Sequence, residues 1–461
     1  MSQKPAELSP QPLRRAAAEV IQPLRDFVHA PRALWGIHLP YFLEGLVYFG
    51  ILTVLAKFLS ENVGLGDVVS GWVVALFTGG ITASMFVLGE VSDRWGVRRA
   101  LLASLGLMAA GRVLLASAEA LGREPGLFGP LFCLGAGGLL LVVVGYGMYQ
   151  PAAYAGVREL TDEKTAAMGY AMIYALMNLG AFASGLLSPL VRRASERAFP
   201  PNGISGVFWV YAGLTVLAVI CTAVLLPPGA ARPVRAQPPA PPVRRRPLSR
   251  QWLAEHPLAD GKFTSFIFLL VPVQTLFAHN WLTMPLYIER GFQDVAWVSH
   301  NFELFANINP VLIFVLTPLV AALTARADVY GMMIVGTTVM AVPTFLLCLG
   351  PQPVLLLVYI LAMSVGEAIW QPRFLQYAAE LAPPGKTGMY MGVAQLPWFL
   401  TKVLTGAYSG WFLARYCPPQ GPRHTEFMWL VHGLIACASP LGLLLARGWL
   451  GHAISQGGSR R

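Results

Sequence analysis

Polar positions interrupt this chain only at long intervals. Between them lie apolar runs of about 20 residues, the length an α-helix needs to cross roughly 30 Å of hydrocarbon. Six runs fall near 34–59, 68–90, 98–117, 127–153, 165–190 and 205–226, and six more near 263–289, 302–323, 330–349, 353–379, 387–413 and 425–447. The pattern predicts an all-α membrane protein with twelve transmembrane helices. Its one long break, "PPGAARPVRAQPPAPPVRRRPLSRQWLAEHPLADGK" at 227–262, is rich in Pro, Ala and Arg, a composition that favours extended, solvated chain over a packed core. The break separates a six-helix bundle at 34–226 from a second at 263–447, with tails at 1–33 and 448–461, and reads as a cytoplasmic linker between two halves.

The halves echo one another. "VGYGMYQP" (Val144 to Pro151) lies in the fourth run and "VGEAIWQP" (Val365 to Pro372) in the tenth, its equivalent in the second half. The same spacing continues from Gln150 to Glu159 and Leu160, and from Gln371 to Glu380 and Leu381. Two parallel six-helix repeats with a site at their interface are an architecture of secondary transporters. One copy carries Glu367 where the other has Tyr146.

Composition narrows the class further. Of 461 residues 55% are hydrophobic and 12% charged, against about 25% charged in soluble domains. With the N-terminus inside, and with Arg98, Arg99 and Arg447 at the span edges counted as inner, the inner segments hold 22 of the 33 Lys and Arg, outer loops 7 and the spans 4. Cytoplasmic loops collect such residues, so both termini are expected in the cytoplasm. The net charge of +10 is then mainly a topology signal that also attracts anionic headgroups, and no nucleic-acid partner is expected. Residues 1–33 show no signal-peptide pattern. Cys133, Cys221, Cys348 and Cys437 fall in apolar spans and Cys417 in an outer loop, a distribution with neither metal spacing nor a disulfide framework. No nucleophile motif, zinc motif or phosphate-binding loop occurs. The sequence therefore implies no enzyme, no cofactor, no metal and no direct use of ATP; the drive is an ion gradient or that of the solute.

Charge inside the spans must have a purpose. An ionised carboxylate at a helix centre costs on the order of 2.5–3.5 kcal/mol, so Glu44 and Glu367 each need a partner, a water cavity or a proton. Burial favours the neutral carboxyl, which makes both candidates for proton coupling; the alternative for each is an ion pair with Lys57, Arg112, Arg373 or Lys402. His279, able to titrate near neutrality, is a third candidate for coupling, and with Asn280 for substrate contact. Gln150, Gln371 and Asn178 offer amides to a polar solute, and Tyr48, Phe49 and Trp370 offer cavity walls. The same side chains also serve as hydrogen-bonding glue between helices.

The break between the second and third runs reads "GEVSDRWGVRRA", with Gly89, Asp93, Arg94, Gly96, Arg98 and Arg99. This spacing resembles the signature loop of the major facilitator superfamily at the same place in the chain. Two glycines permit a tight turn, the arginines stay at the inner interface, and Asp93 can face the positive N-terminal end of a neighbouring helix. The resemblance places that neighbour at the start of the eleventh span, around Thr387 to Tyr390.

Within that superfamily, "YAMIYALMNLGAF" (170–182), "NINPVLIFVLTPLVAAL" (307–323) and "GEAIWQP" (366–372) resemble the fifth, eighth and tenth helices of proton-dependent oligopeptide transporters. His279 and Asn280 stand where that family carries a polar Gln. The likeness implies alternating access and proton-coupled uptake of small peptides or related polar solutes, by a monomer in a bacterial inner (plasma) membrane. Two features depart from the family. In "YFLEGLVYFG" the ExxER positions hold Tyr41, Glu44 and Gly45, and the fourth-helix Lys-Pro is Gln150-Pro151. Export of a metabolite or drug is the alternative those losses leave open, and a non-transporting sensor the third.

Overall fold

A computed structural model describes residues 32–88, 91–122, 124–161, 166–229, 256–324, 327–381, 390, 393–394 and 396–450. Every regular element among them is helical. The first half comprises Arg32–Lys57, prolonged by a π turn at Phe58–Asn62, then Gly66–Leu88, Val97–Leu121, Pro130–Leu160, Ala166–Ser195 and Ile204–Leu225. The second comprises Gly261–Leu282 with its continuation Met284–Gly291, then Ile308–Leu323, Val329–Leu349, Pro353–Leu381, Leu396–Tyr416 and Thr425–Leu445. These are the twelve expected spans, called first to twelfth below. Ten are long and apolar enough to cross a bilayer unaided. The eighth falls short at 16 residues, and the eleventh is diluted by Thr401, Lys402, Ser409 and Arg415. The N-terminal tail (1–31), the central part of the linker (230–255) and the C-terminal tail (451–461) lie outside the described residues.

Several boundaries differ from those expected, and the eighth span, expected from 302, is broken at Asn307 into Phe302–Ala306 and Ile308–Leu323. The fourth and tenth helices continue to Leu160 and Leu381, past their expected ends, each carrying the repeat's proline, Pro151 or Pro372, in its interior. The seventh span was expected unbroken at 263–289. It is interrupted at Leu270 and Thr283, each followed by a segment with a proline in its first turn, Pro272 and Pro285. Proline has no N–H to give to the preceding turn, so it is tolerated best where a helix restarts. Pro343 likewise opens the 3-10 turn Val342–Leu349 that ends the ninth span.

The first six spans pack among themselves, the third against the fourth and sixth and the first against the fifth and sixth. The last six do the same, the tenth against the eighth and ninth and the seventh against the eleventh and twelfth. The halves touch most extensively where the second span crosses the eleventh and the fifth meets the eighth, and the first span also reaches the seventh. The first crossing is backbone against backbone. A Cβ on Gly71 would stand 2.9 Å from the Gly406 carbonyl, and one on Gly410 would strike the Asp67 carbonyl. Small residues permit this approach where no hydrophobic effect drives helices together.

Candidate functional site

Between the halves lies a cavity of about 280 Å³. The first span contributes Tyr41, Tyr48 and Phe49, the fourth Tyr146, Gln150 and Tyr154, the fifth Tyr174, the seventh Trp281, and the eleventh Trp398 and Lys402. The rings brace one another: Tyr48 lies 4.9 Å from Tyr146 between centroids, and Phe49 reaches Trp281 of the other half at 5.4 Å. Gln150 Nε2 donates to the Tyr41 hydroxyl at 3.3 Å.

Three sequence candidates, Tyr48, Phe49 and Gln150, thus stand on the cavity wall. Glu44 does not. It is fully buried within the first half, where Arg112 donates from both terminal nitrogens to its two oxygens at 2.6 and 2.8 Å and to Thr215 Oγ1 at 2.5 Å. Of the ion pairs weighed for Glu44, the one with Arg112 forms. Glu367 is 6% exposed and also stands off the wall. Its Oε2 accepts from Asn309 Nδ2 at 2.8 Å, and that amide also reaches Ser364 Oγ at 3.0 Å. Among the described residues no cation pairs with Glu367, and the pair with Lys402 does not form.

The remaining candidates stand off the wall. His279 is fully buried, bonded to Thr283 Oγ1 at 2.7 Å and Tyr408 Oη at 3.1 Å, with the His432 ring 4.0 Å away. Trp370 directs Nε1 at Met340 Sδ, 3.2 Å away, and Asn178 donates to the Tyr174 carbonyl of its own helix at 2.9 Å. Asn280 is buried and Gln371 half-buried, neither of them on the cavity wall. Sequence reasoning passed over Trp281, Trp398 and, above all, Lys402. A lysine in the middle of an apolar span was the available signal, but it was weighed only as one possible partner of Glu44 or Glu367.

At the end of the bundle remote from Arg32, ion pairs clasp the halves. Lys57 donates to Glu289 at 2.5 Å and to Glu61 at 2.8 Å. Arg290 holds Asp67 through two bonds of 2.6 and 2.9 Å, and Arg192 Nε meets Glu303 at 2.5 Å with its guanidinium 5.0 Å over the Phe302 ring. Asn307 adds a neutral bond to Thr53 Oγ1 at 3.0 Å. Asp67, Arg290 and Glu303 are nearly inaccessible, so these charges give up hydration to meet and need one another while that end is shut.

The signature loop folds as a short helix, Val91–Trp95, followed by Gly96 at φ +80° at the N-cap of the third span. A side chain at Gly96 would be strained although nothing crowds it. Arg98 donates to the carbonyls of Leu226 at 2.7 Å and Ala223 at 3.2 Å, closing the C-terminal end of the sixth helix. A cation there satisfies carbonyls that lack helical partners. Arg94 and Arg99 are exposed. Gly89, the side chain of Asp93 and residues 387–389 lie outside what the structure describes, so the expected approach of Asp93 to the eleventh helix does too.

No curated protein matches the chain. Solved structures do. A mutant peptide transporter with bound sulfate is 18% identical, with a TM-score of 0.70, covering 92% of this chain and 96% of its own. A structure of a proton-dependent oligopeptide transporter, solved to study substrate recognition, is 15% identical, with a TM-score of 0.70 and 92% and 99% covered. A transporter of the same family in complex with 5-aminolevulinic acid is 17% identical, with a TM-score of 0.68 and 91% and 97% covered. At such identity the likeness is one of fold. The sequence profile of the Major Facilitator Superfamily matches residues 37–406; with that match, two packed six-helix halves and a cavity between them, the chain belongs to the major facilitator superfamily.

Proposed function

We propose that the chain carries a small organic solute across the membrane by rocking its two halves about the central cavity, driven by protons that bind at Glu367. The observation that carries this reading is the set of ion pairs that join the halves at the end remote from Arg32. Cross-half ion pairs shut one end, and each can be exchanged for water as the halves swing apart. Glu367 supports the coupling part, since its described contact is with a neutral amide and a proton is the simplest way to neutralise it. Glu44, matched by Arg112 inside one half, serves instead as a fixed strut. The charge split puts both termini in the cytoplasm, which makes the clasped end the outer one. Small peptides are the first solutes to try, because the solved relatives of this fold are peptide transporters.

Purified protein in proteoliposomes tests the proposal. An inward proton gradient should drive accumulation of a solute from a dipeptide and metabolite library. Glu367→Gln should abolish that accumulation while leaving downhill counterflow. Accumulation that persists in Glu367→Gln removes the proton role, and absence of counterflow for every solute removes transport. A reporter fused after Arg461 and one inserted near Pro241 should both report cytoplasm; an outer location for either overturns the orientation.

A further inference from the structure

The charges embedded in the spans are not treated alike. Arg112 is held by Glu44, Lys57 by Glu61 and Glu289, and Arg373 donates to the Thr324 carbonyl at 2.6 Å. Lys402 differs. Half-buried on the eleventh span, it lines the central cavity and makes no hydrogen bond or ion pair with any described residue. No carboxylate shares that wall among the described residues, because Glu44 and Glu367 are both set back from it. A lone ammonium at this depth is costly, and an anion entering the cavity would relieve it.

We propose that the solute is a small organic carboxylate with an aromatic or apolar body, and that Lys402 is its anion-binding residue; this deepens the transporter reading and rests on it. The wall suits such a body. Trp281, Trp398, Tyr48 and Phe49 line the cavity from three spans, and besides Lys402 the polar side-chain groups on the wall are hydroxyls, the two indole N–H groups and the single amide of Gln150. A cavity of about 280 Å³ suits a compact acid. A zwitterion fits less well, since its ammonium meets no acid on the wall and would lie beside Lys402. The ammonium makes a strong charge-assisted bond to a carboxylate and no such bond to the corresponding amide, so charge rather than shape sets the preference.

The test pairs binding with transport on the full chain. Benzoate, phenylacetate, 3-phenylpropionate and N-acetylphenylalanine are compared with their neutral amides, with phenethylamine and with Ala-Phe, by thermal stabilisation of detergent-purified protein and by counterflow in proteoliposomes. Carboxylates are expected to stabilise the protein and their amides not. Lys402→Gln and Lys402→Met should each weaken that binding roughly tenfold to a hundredfold, the usual worth of a bond to a charged group, and Lys402→Arg should retain most of it. Monodisperse elution of each variant separates lost binding from lost folding. The proposal is overturned if amides, amine or dipeptide bind as well as the acids, if no acid binds, or if Lys402→Gln and Lys402→Met bind acids as the wild type does. The two readings fail separately. Lys402-dependent binding without counterflow sinks transport and keeps the anion site; counterflow of neutral or cationic solutes, indifferent to Lys402→Gln, keeps transport and sinks the anion site.

Discussion

Replacing Asp67 by Asn should open the clasped end. Asp67 begins the second span and accepts both Arg290 bonds and a third from Ser60 Oγ at 2.8 Å. The side chains of Arg290 and Asp67 are only 3% and 4% exposed. Without the carboxylate charge, Arg290 would stay buried with the Cys417 carbonyl, 3.0 Å away, as its other acceptor. Removing one partner of a buried pair costs about 3–5 kcal/mol. Once that end opens, both groups stand in water and the substitution costs little, so nearly the whole penalty falls on the closed form. Two further ion pairs and the Asn307–Thr53 bond remain, so the low end of the range is the fair choice. A penalty of about 3 kcal/mol is a factor of roughly 150, which would turn a 99:1 preference for closure into near parity. Spin labels at Glu124 and Asp294, both exposed and in different halves, with the five native cysteines replaced, would read the populations by electron–electron distance. The wild type should give one short distance, and Asp67→Asn a second, longer one of comparable weight. The double variant Asp67→Leu/Arg290→Leu should return to the short distance, because two well-packed apolar groups replace a buried pair at little cost. A single short distance in Asp67→Asn, or opening by the double variant as great as by the single, would refute the reasoning.

Other substitutions address the frame. Arg112→Leu leaves Glu44 buried without its cation and should lower resistance to thermal inactivation sharply, as a loss of about 3–5 kcal/mol; Glu44→Gln/Arg112→Leu should recover most of it, and equal inactivation half-lives for the two variants would deny the pair its role. Gly406→Ala would drive a methyl into Ala75 at the crossing of the second and eleventh spans and should slow counterflow severely with normal membrane insertion, whereas a normal rate would mean that the helices part easily. Asp93→Asn removes the charge that can face a helix N-terminus; strong loss of transport at near-normal insertion is expected, and wild-type rates would reduce the loop to a topology signal.

The spans were legible because a membrane leaves one solution per apolar run of that length, and even the short eighth and the diluted eleventh helices stood out between polar breaks. The interruptions of the seventh were less legible. Pro272 and Pro285 mark them, yet the run around them is apolar enough to pass for one helix. In the site, Tyr48, Phe49 and Gln150 could be placed on the wall because they belong to motifs on the first and fourth helices. Trp370, one residue before Gln371 in the repeat, turned out fully buried among Met340, Phe277 and Phe374. A repeat fixes the position of a residue along a helix but leaves open which neighbours its side chain meets. The clasp was the least legible feature: Asp67 and Arg290 are 223 positions apart, and each reads as an ordinary loop-side charge.

The charges embedded in the bundle fall into three groups once the halves are treated as rigid bodies. A pair confined to one half, as Glu44 with Arg112, keeps its geometry however the halves move; it contributes equally to every conformer and cannot bias any of them. A pair that spans the halves, as Asp67 with Arg290 or Arg192 with Glu303, exists in one conformer only, so its strength sets how long that conformer lasts. A charge with no counter-ion among the described residues, as Glu367 or Lys402, is on the proposed reading neutralised by something that arrives and leaves, a proton for one and an anion for the other. In the proposed cycle it is this third group that links the motion to an outside gradient, since a ligand shifts a conformational equilibrium only through unequal affinity for its states. The substitution of Glu367 for the tyrosine of the first repeat follows the same logic. The first half keeps Tyr146 against the cavity, and the second sets its acid back against Asn309, where on the proposed reading a proton binds without competing for the space that the solute fills.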